Sequence, residues 1–109
     1  MPRTVLQRRL IDVSDRLKRL RAELAVSDEQ CQFFEAEAED ARLRSLVSET
    51  PVADAEAREV RRHADAQIRH RDALRRAVRE LEGEQDALLD RMAAELDATS
   101  DSFDAGAPR

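Results

Sequence analysis

Ser48-Glu49-Thr50-Pro51-Val52 is the stretch that decides how this chain folds. Proline disfavours helical backbone in the residue before it, so a helix arriving from the N-terminal side must stop near Thr50. The same five residues also start a helix. Thr50 has a capping hydroxyl, and Pro51 suits the first helical position, where its missing N–H costs nothing. Asp54 and Glu56 then bring negative charge to the positive end of the new helix.

Working outward, each side of this stop-and-start signal reads as a long helix. Upstream, Thr4 and Gln7 have capping-box spacing. A heptad stripe with alternating steps of four and three follows: Leu6, Leu10, Val13, Leu17, Leu20, Leu24, Ser27, Cys31, Phe34, Ala38, Ala41 and Ser45. Downstream, Ala57, Val60, Ala64, Ile68, Leu74, Val78, Leu81, Leu88, Met92 and Leu96 carry the apolar stripe, interrupted by Gln67, Arg71 and Gln85. Gly83 falls on the outward side. The pattern ends at Leu96.

The expected organisation is an N-terminal tail over 1–3 and a hairpin over 4–98, followed by a disordered acidic tail over 99–109. Within the hairpin, helix 1 covers about 4–48, the turn about 49–51 and helix 2 about 51–98. The expected fold is all-α, a long antiparallel two-helix coiled-coil hairpin.

Composition agrees. The chain has 109 residues, of which 41% are hydrophobic and 39% charged, with two Gly and three Pro, so it has material for a thin seam and little for a thick globular core. Three Phe with no Trp or Tyr leave few platforms for stacking nucleic-acid bases. The single cysteine, Cys31, cannot form an internal disulfide, no segment has the length or apolarity of a signal peptide or membrane span, and the expected location is the cytoplasm.

Charge is written in blocks. Residues 1–22 carry net +5 and residues 23–40 net −7; residues 58–79 carry net +5 and residues 80–109 net −7. In a hairpin each basic block lies against the acidic block of the other arm, whereas a parallel in-register dimer sets like against like. Antiparallel pairing of helix 1 with a second helix 1 is also complementary. The charges therefore allow a homodimer, either domain-swapped or a four-helix bundle. Folding the chain at Pro51 gives a register in which facing residue numbers sum to 102. Leu6 then meets Leu96, Leu10 meets Met92, Val13 meets Leu89, Leu24 meets Val78, Phe34 meets Ile68 and Ala38 meets Ala64. Leu17 against Gln85 and Cys31 against Arg71 are the weaker layers.

Candidate chemistry is sparse. His63 and His70 share a face and Cys31 is expected near His70, but a zinc site needs further ligands at chelating spacing, which the sequence lacks. A two-helix seam also offers no cleft or oxyanion donors for a Cys/His nucleophile. Glu35, Glu37, Glu39 and Asp40 lack the Glu-x-x-His pairs of di-iron bundles. Arg58, Arg61, Arg62, Arg69, Arg71, Arg75, Arg76 and Arg79 could attract phosphate. The acidic block Glu23 to Asp40 supplies them with partners, however, and direct nucleic-acid contact is not expected. The expectation is a non-enzymatic protein with no catalytic residue, metal or cofactor.

Two surfaces remain for a protein partner. At the turn, Leu43, Leu46 and Val47 fall off the seam, Val52 follows it, and Glu49, Asp54 and Glu56 surround them. These residues either fold over to close the hairpin end or form a small apolar and acidic contact surface. Val26 and Phe33 form a second off-seam pair, suited to a partner helix or self-association. The expected function is a coiled-coil protein–protein interaction module using the tip or this patch. The alternatives are a transcription- or ribosome-associated regulator with an acidic tip, and a structural self-assembling bundle.

In shape, a hairpin with an acidic tip resembles the coiled-coil arms of Gre-type transcript-cleavage factors and other proteins that insert into the RNA polymerase secondary channel. That family's second globular domain and its tip motif are missing. Arg8-Arg9-Leu10-Ile11-Asp12-Val13-Ser14 and Leu46-Val47-Ser48-Glu49-Thr50-Pro51 resemble stretches of small uncharacterised actinobacterial coiled-coil proteins. Eighteen Arg against one Lys, Lys18, fit a GC-rich bacterial genome. This likeness implies the helical hairpin and no particular function.

Overall fold

A computed structural model describes residues 4–106, with side-chain burial described for 4–100. The chain is an all-α hairpin of two helices, α1 (Val5–Ser48) and α2 (Pro51–Gly106), with no strand among the described residues.

α1 starts on a reciprocal capping box. The Thr4 N–H donates to Gln7 Oε1 at 2.9 Å, and the Gln7 N–H donates to Thr4 Oγ1 at 3.1 Å. At its other end Glu49 takes a left-handed conformation with φ of 51°, and its N–H donates to the Ser45 carbonyl at 3.0 Å. This is the helix-terminating αL arrangement, usually occupied by glycine. Thr50 then caps α2, its hydroxyl accepting from the Ala53 N–H at 3.2 Å and its carbonyl accepting from the Asp54 N–H at 3.1 Å. Two further contacts tie the arms beside the turn: the Ser45 hydroxyl donates to the Asp54 carboxylate, and Arg44 pairs with Glu56 at 3.6 Å.

The turn sets the register, and here the structure corrects the sum of 102. The chain reverses at Glu49 and Thr50, because Pro51 is already inside α2. α2 is thereby displaced by about four residues, roughly one helical turn, from the expected pairing. Phe34 stacks on His63, not Ile68, with ring centroids 6.5 Å apart. Gln85 donates to Ser14 Oγ at 3.1 Å instead of lying across from Leu17.

All twelve positions of the α1 stripe are buried or half-buried. On α2 the four-three spacing continues unbroken through Ala57, Val60, Ala64, Gln67, Arg71, Leu74, Val78, Leu81, Gln85, Leu88 and Met92, all buried or half-buried. The polar interruptions are therefore seam positions. Of the adjacent leucines, Leu88 is 3% exposed and Leu89 47%, so Leu88 holds the seam that the expected register assigned to Leu89. Leu96 is exposed.

The chain divides into two compact units. One consists of α1 as far as Arg19 with α2 from Val78 onward, and the other is Leu20–Ala77. In the first, Leu6, Val13, Leu17, Val78, Leu81 and Leu88 are buried, and Arg9 pairs with Glu84 at 3.6 Å. Each buried leucine or valine there contributes roughly 1.5–3 kcal/mol. In the second, small residues dominate the buried set: Ser27, Cys31, Ala38, Ala41 and Ala64, with Leu74.

α2 is helical through Gly106, where a disordered segment was expected over 99–109; residues 107–109 lie outside the described residues, as does the tail at 1–3. The described side chains from Ala93 to Ser100 are exposed. Over residues 93–100 the helix is thus carried by propagation, which adds one hydrogen bond per residue, and not by packing.

Candidate functional site

The turn end of the Leu20–Ala77 unit holds the first candidate surface. α1 remains helical to Ser48, so Leu43, Leu46 and Val47 do not fold over the hairpin end. Their spacing of three and four places them along one helix face. Leu46 is 60% exposed, Val47 85% and, in the first turn of α2, Val52 78%; Leu43 is also exposed. Hydrophobic side chains this open have no packing role in the hairpin.

The acidic part of that surface is smaller than the sequence implied. Asp54 accepts from Ser45 and Glu56 pairs with Arg44, so both stitch the arms together. Glu49 is exposed and occupies the left-handed turn position. The tip is chiefly apolar, with Glu49 as the acid outside those two cross-arm pairs. Spacing alone could not reveal this, because the pairings of Asp54 and Glu56 depend on where the chain reverses.

The arginines of α2 also pair differently from the expectation. Arg75 reaches Asp28 across the seam at 3.3 Å, but Arg61 bonds Asp65 at 3.0 Å, Arg62 bonds Glu59, and Arg71 bonds Asp72 at 3.2 Å, all within α2. On α1, Arg42 grips Glu39 with two hydrogen bonds, at 3.0 and 2.7 Å. That grip holds the Glu39 carboxyl below the usual carboxylate range, and the bond from Arg62 does the same for Glu59. A concavity of about 420 Å³ lies among Ala38, Arg42, Ala57, Arg58 and Arg61. Its guanidinium charge is largely offset by these local carboxylates.

Val26 and Phe33 are exposed on α1, with Phe33 edge-on to Phe34 at 5.6 Å. Beside Val26 is a concavity of about 470 Å³ lined by Ala22, Glu23, Ser27, Gln30 and His70. Cys31 is buried, and its thiol lies within electrostatic reach of Arg71. Among the described residues no group of three or more His, Cys, Asp or Glu side chains is placed to hold a metal ion, and no helix is long and apolar enough to cross a membrane.

No family model matches the sequence, and no curated protein or solved structure matches the chain.

Proposed function

We propose that this protein is a non-enzymatic, cytoplasmic interaction module that presents the apolar tip of a helical hairpin to a protein partner. The observation that carries this reading is the exposure of Leu43, Leu46, Val47 and Val52 together at the turn while the seam beneath them is closed. Solvating such side chains has no benefit to the fold. Covering them contributes roughly 25 cal/mol per Å² of apolar surface removed from water.

The alternative of a transcription- or ribosome-associated regulator with an acidic tip is less well supported, since two of the three carboxylates it would use serve the hairpin itself. The test is replacement of Leu46, Val47 and Val52 by Ser, followed by affinity capture from the native host. The expected outcome is loss of the wild-type partner at unchanged helicity by circular dichroism. Retention of every partner by the folded variant would sink the tip reading.

A further inference from the structure

We infer that the arginine-rimmed concavity of the Leu20–Ala77 unit receives the acidic C-terminal end of α2 from a second copy of this chain. The concavity shares no residue with the apolar tip, so the inference does not depend on the tip having a partner.

The receiving side has one guanidinium to spare. Ala38 and Ala57 are seam positions, and their small side chains leave the groove between the arms open, with a volume of about 420 Å³. Arg42, Arg58, Arg61 and Arg62 stand exposed around this opening. Three of them are held by local carboxylates: Arg42 by Glu39 at 2.7 Å, Arg61 by Asp65 at 3.0 Å, and Arg62 by Glu59. The Arg58 side chain pairs with no carboxylate among the described residues. Asp54, one turn before it, is taken by Ser45, and Arg61 and Arg62, one turn after it, carry its own sign. A carboxylate arriving from outside therefore meets an unneutralised guanidinium above an apolar floor.

The end of α2 is complementary to this arrangement in charge and in shape. From Met92 to Gly106 the sequence has four acids, Glu95, Asp97, Asp101 and Asp104, and no Lys or Arg. The last turn of the helix contains no base, so its negative end also lacks a cation. Leu96 is 69% exposed, and the side chains from Ala93 to Ser100 are all exposed, so this stretch of helix is open to another chain. Glu95 and Asp97 flank Leu96 at about 100° to either side of the helix. With Leu96 over Ala38 and Ala57, the two carboxylates point to the arginine rim on both sides of the groove. A nucleic-acid backbone fits less well, because Glu39, Glu59 and Asp65 repel successive phosphates and the concavity has no aromatic lining for a base.

The contact joins two different surfaces, and this makes it testable by mixing. Sedimentation of the full chain at low salt, from below one to hundreds of micromolar, is expected to show reversible self-association that weakens as salt is added. Arg58→Glu alone, or Glu95→Lys with Asp97→Lys, should each weaken it by at least about tenfold at unchanged helicity. Each variant keeps the half of the contact that the other has lost. An equimolar mixture of the two should therefore recover association that neither shows alone. A wild-type chain that stays monomeric throughout overturns the inference and leaves the concavity to an acidic segment of another protein. Self-association unaffected by Arg58→Glu, or a mixture that stays as dissociated as its components, overturns it equally.

Discussion

At the scale of single residues, Glu49 is where the hairpin holds strain. A side chain in the left-handed region costs roughly 1–2 kcal/mol that glycine does not incur, while glycine loses about 0.5–1 kcal/mol more backbone freedom on folding. Glu49→Gly is therefore expected to stabilise the protein by about 0.5–1 kcal/mol, read as a higher midpoint in urea. A lower midpoint would mean that the Glu49 side chain contributes more than its backbone geometry costs. Glu39 and Glu59 give a pH dependence. Their carboxyls titrate below the usual range in the folded chain because Arg42 and Arg62 hydrogen-bond to them. A depressed folded value means that the unfolded chain binds protons more readily, so the contribution is complete above the ordinary carboxylate pKa and is lost as pH falls through the folded value. Thermal midpoints should fall on acidification below about pH 4.5, and the fall should be smaller in a Glu39→Gln, Glu59→Gln variant. Both pairs are exposed, so the difference should also shrink at high salt.

At the scale of the elements, α1 was the more legible helix. Its twelve stripe positions can be read from the spacing alone, and all are buried or half-buried; where strong apolar residues adjoin, the four-three step picks Leu10 over Ile11 and Phe34 over Phe33. α2 was less consistent at Leu88 and Leu89, where the stripe named Leu88 but the expected register paired Val13 with Leu89; burial follows the stripe. Gln67, Arg71 and Gln85 are the converse case. They read as breaks in the stripe, yet the period carries them into the seam, where Gln85 finds Ser14 and Arg71 finds Asp72. The candidate tip was legible as a set of residues and illegible in its electrostatics, since the pairs Ser45 with Asp54 and Arg44 with Glu56 follow from the point of reversal. Gly83 is helical and exposed, and a Cβ placed there would meet nothing within 4 Å. Gly83→Ala should stabilise α2 by about 1 kcal/mol, visible as a raised melting temperature. No change, or a loss, would mean that the glycine serves a contact absent from the isolated chain.

At the scale of the whole molecule, two kinds of information set the fold, and they differ in resolution. The charge blocks, each about twenty residues long, favour antiparallel over parallel arms, but a shift of one helical turn leaves almost every basic block still facing an acidic one. The turn has finer resolution, because a left-handed Glu49 followed by the Thr50 cap permits only a short reversal. Folding at Pro51 ignored the fact that proline at a first helical position already belongs to the next helix, and the register moved accordingly. The blocks are also satisfied by arms exchanged between two chains, so the short turn must keep the pairing within one chain. The measurement that tests this most directly is crosslinking of Ser14→Cys with Gln85→Cys in a Cys31→Ala background, using a short reagent that bridges two thiols. The native side chains at these positions are hydrogen-bonded at 3.1 Å although 71 residues apart. The predicted result is bridging within single chains, seen as a monomer that has gained the mass of one linker and resists unfolding. Bridging found only between chains, or none at all in the folded protein, would contradict the hairpin and its register.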